Sequence, residues 1–398
     1  MSKNFSKVTL ALIILLVAFH ANAQSFVEGV VLNKSNEEVI PFASIVFKSK
    51  NNGTISNAEG KFKLDTRGLG DNDTIQVSHI SYATFQFTLG KLKNDQGKIS
   101  LTENAITLRE VSVYASKDDR AFLDEIINQS KKNTVLPTTY DVYYREWVRE
   151  NASYNRFADG LLTVAYPVDK RDVKVQVKQS RAFKLPKDED EMFEMGNPVK
   201  LEYGLSYVYV DFLNKFRGER KDSYRVDLYQ GSTFDDFNTL IITPKRGVKD
   251  SSKLFKAIVK ADQNMNIKTV EIKTDSLYAV EISILGLHMK VLAGTITLNF
   301  KNNDGHNYVA YARMEYKIKF TFRKKEQIDI YTSEFIVLNA INRLTEIARK
   351  DEYKKSSLYK NGSKFTTNFW EGLEMPLLSD TEKKLIESLA EKSKAIKG

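Results

Sequence analysis

From Phe26 to about Ala115, apolar and polar residues alternate with a period of two in short runs. FVEGVVLN, PFASIVFK, GKFKL, DTIQVSHI, YATFQFTL, GKISLTE and ITLREVSVYA all keep this rhythm. A period of two puts one set of side chains on each face of a strand, and helical packing does not produce it. The runs are separated at Asn33 to Glu38, Asn51 to Gly53, Arg67 to Asp73 and Lys93 to Gly97 by residues that favour turns. About seven short strands at this spacing predict a small β-sandwich over residues 24–115.

The rhythm changes near Lys117-Asp118-Asp119. A helix is expected over Asp119 to Lys131, capped by Ser116 or Asp118, with Ala121, Phe122, Ile126 and Ile127 on one stripe. Alternation returns in Tyr140-Val142 and again in Leu161-Thr163-Ala165, and from Val173 onward extended runs recur: VKVQVKQS, RVDLYQG, TLIITP, LFKAIVKAD, IKTVEIKTD, YAVEISIL, AGTITLNFK, YVAYARMEYKIKFTFRK and IDIYTSEFIVLNAI. Asn302-Asn303-Asp304-Gly305 is a hairpin turn between two of them, and hairpin order favours antiparallel pairing. Pro186 to Gly196 reads as a loop. The C-terminus begins a helix at Ser379 or Asp380, with Glu382 completing a capping pattern and Leu385, Ile386 and Leu389 behind it. The fold class is mainly β. An N-terminal seven-stranded β-sandwich precedes a large antiparallel, half-barrel-like sheet over residues 119–398, with a helix at each end. An independent fold for each unit, joined near Ser116 to Arg120, is the expected organisation. The architecture resembles periplasmic lipoprotein-carrier half-barrels, as analogy only. A small outer-membrane β-barrel is the alternative. The charged C-terminal helix stands where such barrels usually place a strand with a terminal aromatic.

The stretch NNGTISNAEGKFKL, Asn51 to Leu64, carries amides, one carboxylate and two glycines. A Ca²⁺ loop needs several oxygens converging on one point, and only Glu59 is ionised here. The stretch reads instead as two turns, with Gly60 placed for positive φ before GKFKL. Its wider context resembles the carboxypeptidase-regulatory-like domain. Gly29, Pro41-Phe42-Ala43-Ser44-Ile45, Gly53-Thr54, Gly60-Lys61-Phe62 and Ser78-His79-Ile80-Ser81-Tyr82 carry the resemblance in order and spacing over roughly residues 25 to 115. It implies a transthyretin-like sandwich without catalytic residues of its own, of a kind that often precedes envelope transporters or extracellular enzymes. Tyr143-Tyr144-Arg145-Glu146 and Ala165-Tyr166-Pro167 resemble the segment that follows such domains in a poorly characterised envelope family.

The first residues predict a signal peptide over 1–23. Lys3 and Lys7 precede an apolar run from Val8 to Phe19, and Ala21-Asn22-Ala23 offers a cleavage site before Gln24. The run is shorter than the ~20 residues that span a bilayer, and no later segment is apolar enough to be a transmembrane helix. The expected location is exported, periplasmic or associated with the outer membrane of a Gram-negative cell. The chain has no cysteine, which excludes disulfides, thiolate catalysis and a lipidated anchor. Loss of Lys3 and Lys7 would lower the net charge from +9 to +7. The lysines are scattered, which favours a solvated surface over attraction to anionic lipid head groups or acidic glycans, and nucleic acid is not an expected partner.

Candidate chemistry is sparse. Beyond the leader, the histidines are His79, His288 and His306, far apart and without metal-ligand spacing. His79 is expected to pack or hydrogen-bond within the sandwich, and His306 to sit in a turn. No H-E-x-x-H, G-x-S-x-G, P-loop or G-x-G-x-x-G occurs. Asp188 to Glu191, Asp235-Asp236 and Glu374 with Asp380 are carboxylate pairs that read as solvated loops or turns. Trp147, Trp370, Tyr203, Tyr207 and Tyr209 would suit sugar stacking, but their alternating positions favour sheet-face packing. No catalytic, metal or cofactor residue is therefore assigned. The expected role is non-catalytic binding or assembly in the envelope, with the sandwich as adaptor and the larger sheet as recognition surface. Its partner would be an envelope protein, a lipid or a glycan. A secreted hydrolase, peptidase or glycosidase, of unfamiliar design is the rival.

Overall fold

The computed structural model describes residues 26–49, 53–103, 117–133, 138–151, 153–167, 172–184, 201, 216, 221–229, 237–245, 255–274, 281–303, 306–366 and 377–395. Two small sheets form the N-terminal unit. Strands β1 (Phe26–Asn33), β4 (Lys61–Asp65) and β7 (Lys98–Leu101) make one, in the order β4-β1-β7. Strands β2 (Ser44–Phe47), β3 (Gly53–Ile55), β5 (Thr74–His79) and β6 (Tyr82–Thr88) make the other, in the order β3-β2-β5-β6. Their alternate residues meet in one core. Val31, Phe62, Leu64, Ile99 and Leu101 face Ile45, Phe47, Ile75, Val77 and Phe87, all buried.

The sandwich departs from expectation after β6. The run after Phe87 does not stay extended: Leu89–Asn94 is a short helix, α1, because the Thr88 hydroxyl accepts the Lys91 N–H at 3.3 Å and caps it. Ahead of the Asn57 to Gly60 turn, Gly53–Ile55 is strand β3. The expected strand ITLREVSVYA lies outside the described residues, as does the leader.

Two of the marker glycines have physical reasons. β1 runs parallel to β7, with Val30 opposite Lys98. A Cβ on Gly29 would stand 2.1 Å from the Gly97 carbonyl oxygen and 2.6 Å from the Phe62 ring. Gly60 has φ +71, and there the Asn57 side chain accepts the N–H groups of Glu59 (3.0 Å) and Lys61 (2.9 Å). From Asn57 to Lys61 the stretch is thus turn chemistry, as its amide suggests.

The larger unit is an eleven-stranded antiparallel sheet. Its strands are β8 (Thr138–Glu150), β9 (Ser153–Tyr166), β10 (Lys174–Lys184), β11 (Tyr224–Tyr229), β12 (Asn238–Pro244), β13 (Lys256–Ala261), β14 (Ile267–Thr274), β15 (Glu281–Ile284), β16 (Leu287–Asn303), β17 (His306–Phe322) and β18 (Lys325–Ile341). Their order is β10-β9-β8-β18-β17-β16-β14-β13-β12-β11, with β15 paired to β16. The sheet ends at β10 and β11 and is not closed into a barrel, which corrects the barrel alternative. No helix among the described residues is long and apolar enough to cross a membrane.

Alternation divides the sheet into two unlike faces. On one, Tyr140, Val142, Tyr144, Leu162, Val164 and Phe335 join a continuous apolar core. Helix α2 (Lys117–Asn133) covers part of it with Leu123, Ile126 and Ile127. Leu123 takes the buried place expected of Ala121, which is exposed. On the opposite face stand Tyr143, Arg145, Trp147 and their neighbours. The sandwich and helix α3 (Asp380–Ala395) cover this face. Phe42 and Ile55 pack on Tyr143, Tyr311 and Ile336, while Leu385, Ile386 and Leu389 pack on Trp147 and Phe157. The α3 cap is as expected. Ser379 N–H donates to Glu382 at 2.6 Å, and the Glu382 N–H donates to the Ser379 hydroxyl at 3.0 Å.

Candidate functional site

The covered face carries a row of charge that crosses the sheet. Arg181 on β10 lies opposite Asp159 on β9, and Asp159 lies opposite Arg145 on β8. Arg145 lies opposite Glu334 on β18, and Glu334 opposite Arg313 on β17. The register continues to Thr297 on β16 and Glu271 on β14. Five successive strands therefore present charges of alternating sign at one level, where cross-strand neighbours stand about 5 Å apart.

Each carboxylate in the row is held. Glu334, fully buried, accepts from Arg145, from Arg313 and from the Tyr311 hydroxyl at 2.9 Å. Burial alone would push its carboxyl up, but the two guanidiniums beside it hold it below the usual carboxylate range. Asp159 accepts from Arg181 and from the Tyr143 hydroxyl at 3.0 Å. Arg145 also reaches the cap residue Glu382 of α3 at 3.4 Å. Burial opposes the charge on Arg145, yet Glu334 and Glu382 keep it protonated. Tyr143 and Tyr311 are pushed up by burial and by the anion each one serves, so both stay neutral donors.

At the Arg313 end the row opens into a crevice of about 270 Å³ between the sandwich and the sheet. Phe42, His79 and Ile80 form the sandwich wall. Thr269, Glu271, Lys273, Thr295, Thr297 and Asn299 form much of the sheet wall, beside Arg313 and Glu315. The Arg313 guanidinium lies 4.3 Å from the Phe42 ring centre. Lys260, 1% exposed, donates from its ammonium to the carbonyls of Tyr82 (2.7 Å) and His79 (3.3 Å) and ties the β5–β6 turn to β13.

The titratable side chains of the crevice are paired or held in one protonation state. The Ser81 N–H donates to His79 Nδ1 at 3.2 Å, which leaves the ring proton on Nε2. Burial, together with the positive charges of Lys260 and Lys273, lowers His79 to about 4, so the ring is neutral at neutral pH. Glu271 pairs with Lys273 at 2.8 Å and Glu315 with Arg313 at 2.9 Å. Neither carboxylate is left as an unopposed base.

Other sequence candidates are dispersed. His288 is exposed and bonds Ser283 at 2.8 Å, remote in the fold from His79. His306 begins β17 opposite Asn303. Trp147 is buried against Phe157 and Leu389, with Arg145 and Arg313 5.5 and 5.4 Å from its ring, which excludes it from sugar stacking. Asp380 is exposed and bonds Lys61 at 2.6 Å. Thus α3 begins against the Glu59-Gly60-Lys61 turn. Tyr203, Tyr207, Tyr209, Trp370, Glu374, Asp188 to Glu191 and Asp235-Asp236 lie outside the described residues. The charged row was not anticipated. Arg145 stood in the sequence only as part of Tyr143-Tyr144-Arg145-Glu146. Its neighbour Glu146 points to the other face, where Tyr144, Ser357 and the Tyr359 N–H donate to it.

Residues 27–113 match the family described as CarboxypepD_reg-like domain. The N-terminal unit is therefore of the class its residues and strand order indicated. The match does not extend to the large sheet. Among solved structures, a LolA superfamily protein from Nitrosomonas europaea is 12% identical, over 58% of this chain and 97% of its own, at a TM-score of 0.24. Lipovitellin is 9% identical, over 58% of this chain and 28% of its own, also at 0.24. Likenesses this loose carry no argument. No curated protein matches the chain.

Proposed function

We propose that this is an exported, non-catalytic binding or assembly protein of the cell envelope. The sandwich serves as adaptor, and the larger sheet as recognition surface. The observation that carries the reading is the polar crevice at their junction. Its hydroxyl, amide and charged groups stand on strands, and its carboxylates are paired, Glu271 with Lys273 and Glu315 with Arg313, an arrangement that orients a polar ligand without offering an unopposed base. Threonine, asparagine and paired charges beside Phe42 suit a short glycan or an extended peptide better than a lipid chain. Export is supported by the basic, apolar and small-residue order of the first 23 residues.

A secreted hydrolase is the competing class. It is tested by assaying the purified protein on peptidase, esterase and glycosidase substrates beside Glu271→Gln, Glu315→Gln and His79→Asn variants. The binding reading predicts no turnover that these variants remove. Turnover by the wild type that one of them abolishes would replace it with catalysis at the crevice.

A further inference from the structure

At one end of the sheet two hairpin tips stand side by side, and their surfaces are of opposite kinds. The first joins β15 to β16. Ile284 pairs with Leu287 across the two-residue turn Leu285-Gly286, with φ of 50 and 81. The second joins β17 to β18. Phe322 pairs with Lys325 across Arg323-Lys324, with φ of 47 and 68. Leu287 is opposite Phe322, so the tips are neighbours.

The first tip is apolar. Leu285 is 97% exposed, Ile284 62% and Ile282 40%. Ile282 faces Met289 and Ile284 faces Leu287, so these side chains share one side of the ribbon. Leu287 and Met289 pack against a small core of Val148, Ile318, Phe320 and Tyr331, and the apolar strip runs from that core out to the tip. The other side of the ribbon is polar, with Glu281 bonded to Lys290, Ser283 to His288, and Lys319 to Glu326.

A turn of this type, with both φ positive, favours Asn-Gly. Leucine at its first position is strained, since a branched side chain meets its own backbone there. At 97% exposure that leucine gains no packing in return among the described residues. The second tip presents Arg323, Lys324 and Lys325, all exposed, with the Arg323 guanidinium 5.1 Å from the Phe322 ring. An apolar point beside a cationic one matches the bilayer interface, where apolar side chains enter the acyl boundary and cations meet anionic head groups.

We propose that the paired tips, Ile282 to Leu287 and Phe322 to Lys325, dock the protein on a phospholipid bilayer bearing anionic head groups. Leu285 and Ile284 enter the interface, and Arg323 and Lys324 lie over the head groups. The site is separate from the crevice and does not depend on its ligand.

The test is co-sedimentation with vesicles made of equal parts phosphatidylglycerol and phosphatidylcholine. The wild type partitions onto them, and binding weakens with added salt or with phosphatidylcholine alone. Ile284→Thr with Leu285→Asn lowers partitioning about tenfold. This pair keeps strand and turn preferences, so its Tm is unchanged or higher. Arg323→Gln with Lys324→Gln lowers binding about fivefold per charge removed and flattens the salt dependence. The crevice-filling Thr297→Trp variant binds vesicles as the wild type does. Absence of wild-type binding would overturn the proposal, as would equal binding by the tip variants. Lipid-free self-association abolished by the tip variants would also overturn it, assigning the tips to a second copy of the chain.

Discussion

Arg145 and Glu334 lie directly opposite each other on β8 and β18, 3% and 0% exposed, and bond side chain to side chain at the centre of the charged row. The pair holds two other parts of the molecule. Glu334 also takes Arg313, whose guanidinium meets Phe42 of the sandwich, and Arg145 also takes Glu382, the cap of α3. One ion pair thus joins the sheet, the sandwich and the C-terminal helix. Charges so far from water are tolerated because each has a partner; removing one member leaves the rest uncompensated.

Glu334→Gln should therefore cost about 3–5 kcal/mol, because Arg145 and Arg313 both lose their shared anion. Arg145→Met with Glu334→Leu should cost less than Glu334→Gln alone. Urea midpoints of the three proteins decide this; a Glu334→Gln midpoint equal to wild type would show that the row is solvated.

Acid should destabilise the protein in two windows. His79 is lowered from 6.5 to about 4, so between those values the unfolded chain binds a proton that the folded chain refuses. Stability is full above 6.5 and falls as the pH drops toward 4. Glu334 is lowered from 4.5, so its contribution is present above 4.5 and is lost as the pH falls through its depressed value. His79→Asn, which can still accept the Ser81 N–H, should flatten the Tm profile in the upper window and leave the lower one. A profile unchanged by that substitution would place the upper loss on another group.

Lys260→Met should loosen the sandwich from the sheet. The carbonyls of His79 and Tyr82 lose a charged donor, worth about 1.5–3 kcal/mol per such bond. Limited proteolysis should release the N-terminal unit from the variant faster than from the wild type. Equal cutting rates would show that other contacts hold the junction.

Gly29→Ala should destabilise the sandwich by about 1–3 kcal/mol or more, since the new methyl meets backbone at Gly97 that cannot retreat without parting β1 from β7. Differential scanning calorimetry reads this as a lowered transition. An unchanged transition would mean that β7 can shift.

Much of the fold was legible because strand alternation is local. β10 to β18 fall on the extended runs, β8 and β9 hold the shorter alternating pieces at Tyr140-Val142 and Leu161-Ala165, and the Ser379–Glu382 cap is written in four residues. The charged row was illegible for the opposite reason. Arg181, Asp159, Arg145, Glu334 and Arg313 sit in five different strands, each an ordinary polar residue on an alternating run. Only register brings them to one level, and register is set by the whole sheet. The crevice was hidden likewise: His79 showed its place in the sandwich, but not that Thr297 and Arg313 would stand across from it. The Thr88 cap that turns Leu89–Asn94 into a helix was a local signal, overridden in reading by the alternation before it.

The central claim, that the crevice between sandwich and sheet receives a polar ligand, is tested most directly by native mass spectrometry. The wild type and Thr297→Trp would be purified side by side from the envelope of the producing cell, under conditions that preserve non-covalent complexes. Trp suits a strand position and fills the crevice while leaving the Arg145–Glu334 pair in place. The account predicts a polar adduct, of glycan or peptide mass, on the wild type and its loss from the variant. A wild type that carries no adduct, or an adduct carried equally by both proteins, would contradict it.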